Sequence, residues 1–234
     1  MLRIEHLNWD SDFFGYKVGR ISLDKTVPDQ PSEDLILKAK QDAYKLLYLF
    51  VPAENYDINT PAAQLVDQKA TYAKTITGRS TVDTSEVESY TAPDPNEAIT
   101  DLALQSGEYS RFRVDPGFMN NEFRRLYEIW IMNSVNRSIA EEVFVIRDQD
   151  KEIGLITLSI KNNIGNIGLL SVDSSYRNRS LGKKLLAKVE DYCFEKGITT
   201  IHVVTQSDNK IACSFYEKNG YRLFTCEKIY HLWI

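Results

Sequence analysis

The alternation of apolar and polar positions is clearest in the second half of the chain. Apolar side chains recur every three or four positions over residues 120–135, which predicts an amphipathic helix. The segments VFVIRD and EIGLITLSI read as strands joined by a polar turn at residues 148–151, and NIGLLSVD reads as a third strand. A long periodic helix, LGKKLLAKVEDYCFEKG, follows and ends at Gly197. The strand ITTIHVVT, the helix NKIACSFYEKNG and two closing strands, YRLF and KIYHLWI, complete a mixed α/β pattern.

The first half of the chain carries fewer elements and ends in a linker-like stretch. Ser32 is a suitable cap for a helix that runs to about Tyr44, and KLLYLFVP reads as a buried strand. Thr60-Pro61 is expected to open a second short helix, because proline is favoured in the first turn. ATYAKTIT then alternates as a strand. Residues 79–97 are rich in Ser, Thr, Asp and Pro and have the composition of a linker.

Length and composition are those of an ordinary folded protein. With 234 residues, of which 43% are hydrophobic and 26% charged, the chain can bury a real core. The linker-like stretch divides it into a small mixed β-α-β unit, residues 1–90, and a larger domain, residues 98–234. The net charge of −5 argues against a nucleic-acid partner that is bound through a basic face.

Cysteine usage and the start of the chain bear on metals and on compartment. Three cysteines without a CxxC pair suggest neither a disulfide framework nor a zinc or other metal site. The opening MLRIEHLNWD has no apolar run of the length of a signal peptide, and no stretch approaches the roughly 20 apolar residues of a membrane span. We therefore expect a cytoplasmic protein with no membrane partner.

The most informative stretch is the loop between the strand NIGLLSVD and the long helix that follows it. At such a junction the free backbone N–H groups and the helix dipole form an anion site, and a pyrophosphate is the natural guest. Lys183 and Lys184 oppose the dipole in the first turn and are easier to explain beside a phosphate. The alternative is a plain strand-to-helix turn with solvated cations.

This loop resembles the acetyl-CoA loop of the GNAT acetyltransferases, whose pattern is Arg/Gln-x-x-Gly-x-Gly/Ala. Arg177 matches the first position and Gly182 the last, whereas Ser180 stands where the family usually has glycine. A serine there still presents its N–H and could cap the helix, but it leaves less room for a phosphate. The resemblance implies that the loop binds the cofactor acetyl-CoA through Arg177, Asn178, Arg179, Ser180, Leu181, Gly182 and Lys183.

The context of the loop extends the resemblance. GNAT enzymes place an Asn and a Tyr as Asn209 and Tyr216 are placed here, around the helix that follows the next strand. By resemblance, Asn209 contacts the pantetheine or phosphate arm, and Tyr216 lies near the sulfur as the general acid. The alternative for Tyr216 is an ordinary core tyrosine. The implied fold is a GNAT fold of the α/β (α+β) class, a mixed central sheet flanked by helices.

In that fold the strands at residues 165–173 and 198–205 should separate at one end. Pantetheine amides could then bind the exposed backbone of Leu170 and Val172, as an added strand would. A backbone N–H near Val172 would stabilise the oxyanion, while the amine attacks the thioester directly in a ternary complex.

A narrower resemblance is spread over much of the chain. SRFRVDP, LYEIWIMNSVN, VVTQSDNKIACSFYEKNG and the opening HLNWDSDFFGYKVGRI are similar to segments of nucleotide-sugar acetyltransferases that act on dTDP-4-amino-4,6-dideoxygalactose. Arg111 and Phe112 offer a cation for a diphosphate and a ring for stacking, and Phe13 and Phe14 offer an aromatic floor for the acceptor. The alternatives are surface ion pairs with Glu108 or Asp115 for the arginines and docking of the N-terminal unit for the two phenylalanines.

Other functions remain open at this point. The acceptor could be another amine, such as a peptide N-terminus, a ribosomal protein, an aminoglycoside or a polyamine, and acidic residues lining the acceptor groove would favour that cationic class. The chain could also be a non-catalytic CoA-binding module in which Ser180 has weakened cofactor use. Exposed strands at the C-terminus could pair between two copies and form a homodimer.

Overall fold

The computed structural model describes residues 3–23, 31–54, 58, 60 and 62–234. Within these ranges ten strands form one sheet, and seven helices and a 3₁₀ turn at Ser174–Tyr176 accompany it. The strands are β1 (Glu5–His6), β2 (Lys17–Ser22), β3 (Tyr44–Pro52), β4 (Ala63–Thr75), β5 (Val87–Ser89), β6 (Glu142–Asp148), β7 (Lys151–Lys161), β8 (Ile164–Val172), β9 (Thr200–Gln206) and β10 (Arg222–Trp233). The helices are α1 (Asn8–Phe14), α2 (Glu33–Gln41), α3 (Glu97–Ser106), α4 (Arg111–Val114), α5 (Glu122–Val135), α6 (Leu181–Glu195) and α7 (Lys210–Lys218).

The sheet is mixed and has the strand order β1-β2-β3-β10-β4-β9-β8-β7-β6-β5. Strands β2 and β3 are parallel and are connected through α2, as expected of a β-α-β unit. Strand β4 lies between β9 and β10 and is antiparallel to both. The strands on the two sides of residues 79–97 therefore form one continuous sheet, and that segment itself contributes the short edge strand β5.

Two groups of helices cover opposite faces of this sheet. On β6, Val143 and Val145 pack with α3 and α5, whereas Phe144 and Ile146 pack with α6. Because successive side chains on a strand point to opposite faces, these pairs identify two separate layers. We call them the α5 face, covered by α3 and α5, and the α6 face, covered by α6 and α7.

Most of the predicted elements are confirmed. Ser32 caps α2 by accepting a hydrogen bond from the N–H of Leu35 at 3.2 Å. The amphipathic helix predicted at residues 120–135 is α5, Glu122–Val135. The helices predicted to end at Gly197 and Gly220 are α6 and α7, and both glycines have positive φ, at 71° and 85°.

Two expectations from the sequence are wrong. The second short helix after Thr60-Pro61 is not formed, because residues from Ala63 onward belong to β4; Pro61 itself lies outside the described residues. The two closing strands are one strand, β10, which pairs with β3 over Glu227–Trp233 and with β4 over Arg222–Leu232. Over Glu227–Leu232 both sides of β10 are occupied, so this part of the strand is not exposed for pairing with a second copy; Arg222–Thr225 pairs with β4 and not with β3.

Within the described ranges, no helix combines the length and the apolar character that crossing a membrane requires.

Candidate active site

Strands β8 and β9 are parallel neighbours that separate toward their carboxyl ends. They pair only where Gly165–Ile167 faces Ile201–Val203. Beyond that point β8 continues beside β7 and β9 continues beside β4, so a gap opens between the two strand ends. The predicted separation of these strands is confirmed.

A β-bulge in the pairing of β8 with β7 lies at the point where β8 stops pairing with β9. The register with β7 passes from Ile156–Leu170 to Leu158–Ile167, so that Thr157 alone faces both Gly168 and Leu169. The N–H of Leu169 donates to Thr157 Oγ1 at 2.9 Å. A Cβ on Gly168 would lie 2.8 Å from the same oxygen, so this close approach requires glycine. A bulge bends its strand, which accounts for the divergence of β8 from β9.

A cavity of about 400 Å³ occupies the gap and passes through the sheet. From the α6 face it is lined by Asn209, Ala212 and Tyr216, and from the α5 face by Arg111 and Tyr127. The ends of the separated strands form its walls, with Leu170 on β8 and Val204, Thr205 and Gln206 on β9. The structure therefore brings together residues predicted for the cofactor, for catalysis and for the acceptor.

Tyr216 lies at the α6-face end of this cavity. Its side chain is 5% exposed, and its ring neighbours Tyr72 and Tyr221 at centroid distances of 6.0 and 5.9 Å. Burial, and secondarily the nearby Cys213, raises the pKa of Tyr216 above its ordinary value. The phenol therefore stays protonated at neutral pH and holds its proton more tightly than an ordinary tyrosine.

Asn209 has a structural role in addition to its place in the lining. Its Oδ1 accepts a hydrogen bond from the N–H of Ala212 at 3.0 Å and so caps α7. The cap fixes the start of the helix that carries Tyr216.

The predicted anion-binding loop has left-handed backbone at two non-glycine positions. Asn178 has φ 64° and Ser180 has φ 61°. Ser180 occupies the N-cap position of α6, but its side chain makes no capping hydrogen bond, so the expected capping role of its hydroxyl is wrong. Capping side chains are carried on extended backbone, and Ser180 is left-handed instead. The first hydrogen bond of the helix runs from Lys184 N–H to the Ser180 carbonyl, which leaves the preceding N–H groups at the helix start for an anion.

The loop is packed tightly against its surroundings. A Cβ on Gly182 would lie 3.2 Å from the Phe215 ring and 3.9 Å from Val172, so glycine allows α6 to approach α7 and β8. The Leu181 side chain is buried in the core of the α6 face and can offer a ligand only its backbone.

The cations of the loop point in different directions. Arg177 Nε donates to the Val172 carbonyl at 3.3 Å, and the Arg179 guanidinium lies 5.0 Å from the centre of the Tyr176 ring. Lys183 lines a separate cleft of about 200 Å³, together with Lys74 and Lys218. The backbone N–H groups are therefore the most direct anion ligands that the loop presents.

Arg111 and Phe112 both line the cavity, on its α5-face side. The Arg111 guanidinium lies 4.9 Å from the Tyr48 ring centre and 4.6 Å from that of Phe112. Arg111 Nε is buried without a hydrogen-bond partner among the described residues. Asp115, which we had considered as its ion-pair partner, is instead engaged by His231 and by the Trp233 indole.

Phe13 and Phe14 lie outside the lining of the cavity. Phe14 packs against Phe112 and Phe118, at centroid distances of 5.9 and 5.1 Å. Phe13 stacks on Trp9 at 5.2 Å and lies under the Arg125 guanidinium. These contacts hold α1 against the rest of the protein, which is the docking alternative for the two phenylalanines.

Several residues of the lining were not identified from the sequence, above all Asp67 and Lys69 on β4, with Tyr127 and Trp130 on α5. Asp67 is 8% exposed. Burial raises its pKa to about 6, against the opposing influence of Arg111 and Lys69. An ionisable residue in an alternating strand would have been a signal, but this segment was assigned to a helix.

Comparison with known proteins agrees with this geometry. The chain is similar to dTDP-fucosamine acetyltransferase of Escherichia coli, with 29% identity over 125 residues that make up 53% of each protein. It is also similar to spore coat polysaccharide biosynthesis protein SpsD of Bacillus subtilis, with 24% identity over 141 residues, 60% of this chain and 48% of that protein. The chain thus spans about half the length of these curated relatives.

The fold has a counterpart among solved structures. A GCN5-related N-acetyltransferase from Sphaerobacter thermophilus matches 97% of this chain and 75% of its own, with a TM-score of 0.64 and 13% identity, which supports a common fold. The model of the acetyltransferase (GNAT) family matches residues 105–221, which include the separated strands, the loop before α6, Asn209 and Tyr216. The chain belongs to the GNAT acetyltransferase family.

Proposed function

We propose that this protein is an acetyl-CoA-dependent N-acetyltransferase whose acceptor is the amine of a nucleotide-linked amino sugar resembling dTDP-4-amino-4,6-dideoxygalactose. The observation that carries the proposal is the cavity of about 400 Å³ that passes through the sheet. It joins an acid-bearing side, with Tyr216, to a cationic and aromatic side, with Arg111 and Phe112.

The α6 face has the features that a CoA thioester needs. The free N–H groups at the start of α6 suit the pyrophosphate, and Gly182 keeps the loop close to α7 and β8. From Gly168 onward the edge of β8 has no partner in β9, so the backbone of Leu170 and Val172 can pair with pantetheine amides. We assign cofactor binding to this edge, to Asn209 and to residues 177–183.

The thioester supplies an electrophilic carbonyl that an amine can attack without a covalent enzyme intermediate. The C–N bond forms as the C–S bond breaks, and a backbone N–H near Val172 stabilises the charge that develops on the carbonyl oxygen. Tyr216 donates its phenolic proton to the departing sulfur. Its raised pKa keeps that proton in place until the thiolate forms.

The charges on the acceptor side favour an anionic acceptor. The charged residues that line the cavity are two cations, Arg111 and Lys69, and one carboxylate, Asp67. A groove for polyamines or aminoglycosides would be expected to carry an excess of carboxylates. Arg111 is suited to a diphosphate, and Phe112 and Trp130 are suited to stacking on a base or a sugar.

The names of the relatives support the same acceptor class. One relative is a dTDP-fucosamine acetyltransferase, and another is a protein of spore coat polysaccharide biosynthesis. Both names belong to sugar metabolism, and the first names a sugar that is linked to dTDP.

The proposal is tested by thermal shift with acetyl-CoA and by CoA release on addition of dTDP-4-amino-4,6-dideoxygalactose. The matched control is dTDP-6-deoxygalactose, which carries a hydroxyl in place of the amine. Stabilisation with release of thiol only for the amino sugar supports the proposal. Turnover of spermidine and not of the sugar would retain the acetyltransferase and exclude the acceptor class. If acetyl-CoA does not stabilise the protein and neither amine is acetylated, both the acetyltransferase activity and the acceptor class are contradicted.

A further inference from the structure

Asp67 is a buried carboxylate whose hydrogen bonding is incomplete. It lies within β4, opposite Ile229 of β10, and lines the cavity at 8% exposure. Its Oδ1 is enclosed without a hydrogen-bond partner among the described residues. Buried carboxylates are normally paired or fully hydrogen-bonded, because removing their charge from water is costly. An incompletely satisfied carboxylate in a cavity is therefore a candidate for a functional role.

The alternation of β4 places Asp67 on the α5 face. Ala70 and Tyr72 pack in the same cluster as Tyr216, on the α6 face. Asp67 and Lys69 therefore point to the opposite side, where α4 packs against β4. A carboxylate and a phenol thus meet the same cavity from its two sides, and the gap between β8 and β9 lies between them.

The groups around Asp67 leave its carboxylate able to accept a proton at neutral pH. Arg111 from α4 and Lys69 on the same strand favour its ionised form, and the Gln206 side chain donates a hydrogen bond to it. Burial dominates over these groups, and Asp208 after β9 adds to its effect, so that the pKa of Asp67 rises to about 6. The Tyr127 phenol, from α5, is neutral, and the negative charge of Asp67 adds to the effect of burial in raising its pKa. A carboxylate with such a pKa is largely ionised at neutral pH and can accept a proton efficiently.

We propose that Asp67 binds the acceptor ammonium and takes a proton from it, as the general base of the reaction. The assignment rests on the proposed function, since it needs an amine in the cavity. The ammonium gives one proton to the Asp67 carboxylate and becomes a neutral amine that attacks the thioester. A second nitrogen-bound proton is lost when the amide forms and restores the Tyr216 proton that goes to the sulfur. The proton on Asp67 then returns to solvent, so each turnover yields one amide, one thiol and one released proton.

The test compares the wild-type protein with Asp67→Asn, which keeps the shape and removes the base. Asp101→Asn is the matched control, because Asp101 is exposed on α3 and lies outside the cavity lining. We expect Asp67→Asn to lower kcat/KM for dTDP-4-amino-4,6-dideoxygalactose by about 100-fold or more, while acetyl-CoA stabilises it as it stabilises the wild type. The kcat/KM of the wild type should rise with pH through about 6, and this rise should be absent in the variant.

Binding provides a readout that is independent of turnover. The wild type should bind the amino sugar nucleotide more tightly than dTDP-6-deoxygalactose, and Asp67→Asn should lose this preference. A variant that keeps the preference, or that keeps activity within about twofold together with the rise near pH 6, overturns the role of Asp67.

Failure of the proposed function gives a different pattern. If the wild type acetylates spermidine and not the sugar, the acceptor class is wrong, and the same variants assayed with spermidine decide the role of Asp67. If it acetylates neither amine, both proposals are overturned.

Discussion

Asp67 and Tyr216 line one cavity from opposite faces of the sheet, the carboxylate from the α5 face and the phenol from the α6 face. The separation of β8 from β9 makes this arrangement possible, because paired strands would close the passage between the faces. An acceptor can then approach from one side while a thiol departs on the other. The geometry suits direct transfer between two bound substrates.

The first prediction concerns the proposed general acid. Tyr216→Phe should lower kcat by more than about tenfold and leave acetyl-CoA binding nearly unchanged, because only protonation of the leaving sulfur is removed. Steady-state kinetics and thermal shift measure the two quantities. Tyr221→Phe is the control, since Tyr221 is equally buried beside Tyr216 and lies outside the cavity lining. Equal activity of both variants would remove Tyr216 from the mechanism.

The second prediction concerns the stability cost of the buried carboxylate. The pKa of Asp67 is about 6 in the folded protein, against an ordinary value of 3.8. The folded state therefore binds the proton more tightly, and the free energy of unfolding falls as pH rises from about 4 to about 6. Asp67→Asn has no carboxylate to ionise, so its free energy of unfolding does not fall in this way. At pH 7.5 it should exceed that of the wild type by roughly 1–3 kcal/mol.

Urea unfolding at pH 4 and pH 7.5 checks this prediction. The advantage of Asp67→Asn should nearly vanish at pH 4, where the wild-type carboxyl is protonated in the folded state. An advantage of the same size at both pH values would show that ionisation of Asp67 is not its cause. A stabilised but less active variant is the pattern expected of a residue that serves function at the expense of stability.

The third prediction concerns the loop before α6. Ser180 is left-handed at φ 61°, a conformation that costs a side-chain-bearing residue about 1 kcal/mol relative to glycine. Ser180→Gly should therefore keep or increase the affinity for acetyl-CoA, because its hydroxyl caps nothing and glycine leaves more room for a phosphate. Ser180→Val should reduce both stability and affinity, since a β-branched side chain is strongly disfavoured at positive φ. A large loss of affinity in the glycine variant would assign a direct role to the hydroxyl.

The fourth prediction concerns the bulge in β8. Gly168→Ala would bring a Cβ within 2.8 Å of Thr157 Oγ1 and displace the acceptor of the Leu169 N–H bond. We expect a loss of about 1–3 kcal/mol in unfolding free energy together with reduced turnover. Gly78→Ala is the control, because a Cβ there meets nothing within 4 Å, and it should change stability by less than about 0.5 kcal/mol. Equal stability of the two variants would show that the bulge tolerates a side chain.

Local periodicity predicted the elements of the α6-face half of the site. The strand β8, the following loop, α6, β9 and α7 are adjacent in sequence, and each has a clear apolar pattern or a terminating glycine. The positions of Tyr216, Asn209 and the loop followed from these elements and from the resemblance to the GNAT family.

The α5-face half depends on contacts between distant parts of the chain. Strand β4 is held between β9 and β10, whose sequences lie more than a hundred residues later. The alternation of ATYAKTIT predicts a strand for the second part of β4, whereas Thr60-Pro61 favours a helix for its first part, and pairing on both sides overrides that preference. Asp67 lies in this first part, so it is missed together with that part of the strand. The left-handed backbone of Ser180 was equally hidden, because neither periodicity nor composition signals a positive φ at a residue other than glycine.

The most direct test of the account is the release of CoA by the wild-type protein when acetyl-CoA and dTDP-4-amino-4,6-dideoxygalactose are both present. We expect thiol release in step with formation of the acetamido sugar, and no release with dTDP-6-deoxygalactose. Stabilisation by acetyl-CoA without acetylation of the amino sugar would contradict the acceptor that we propose.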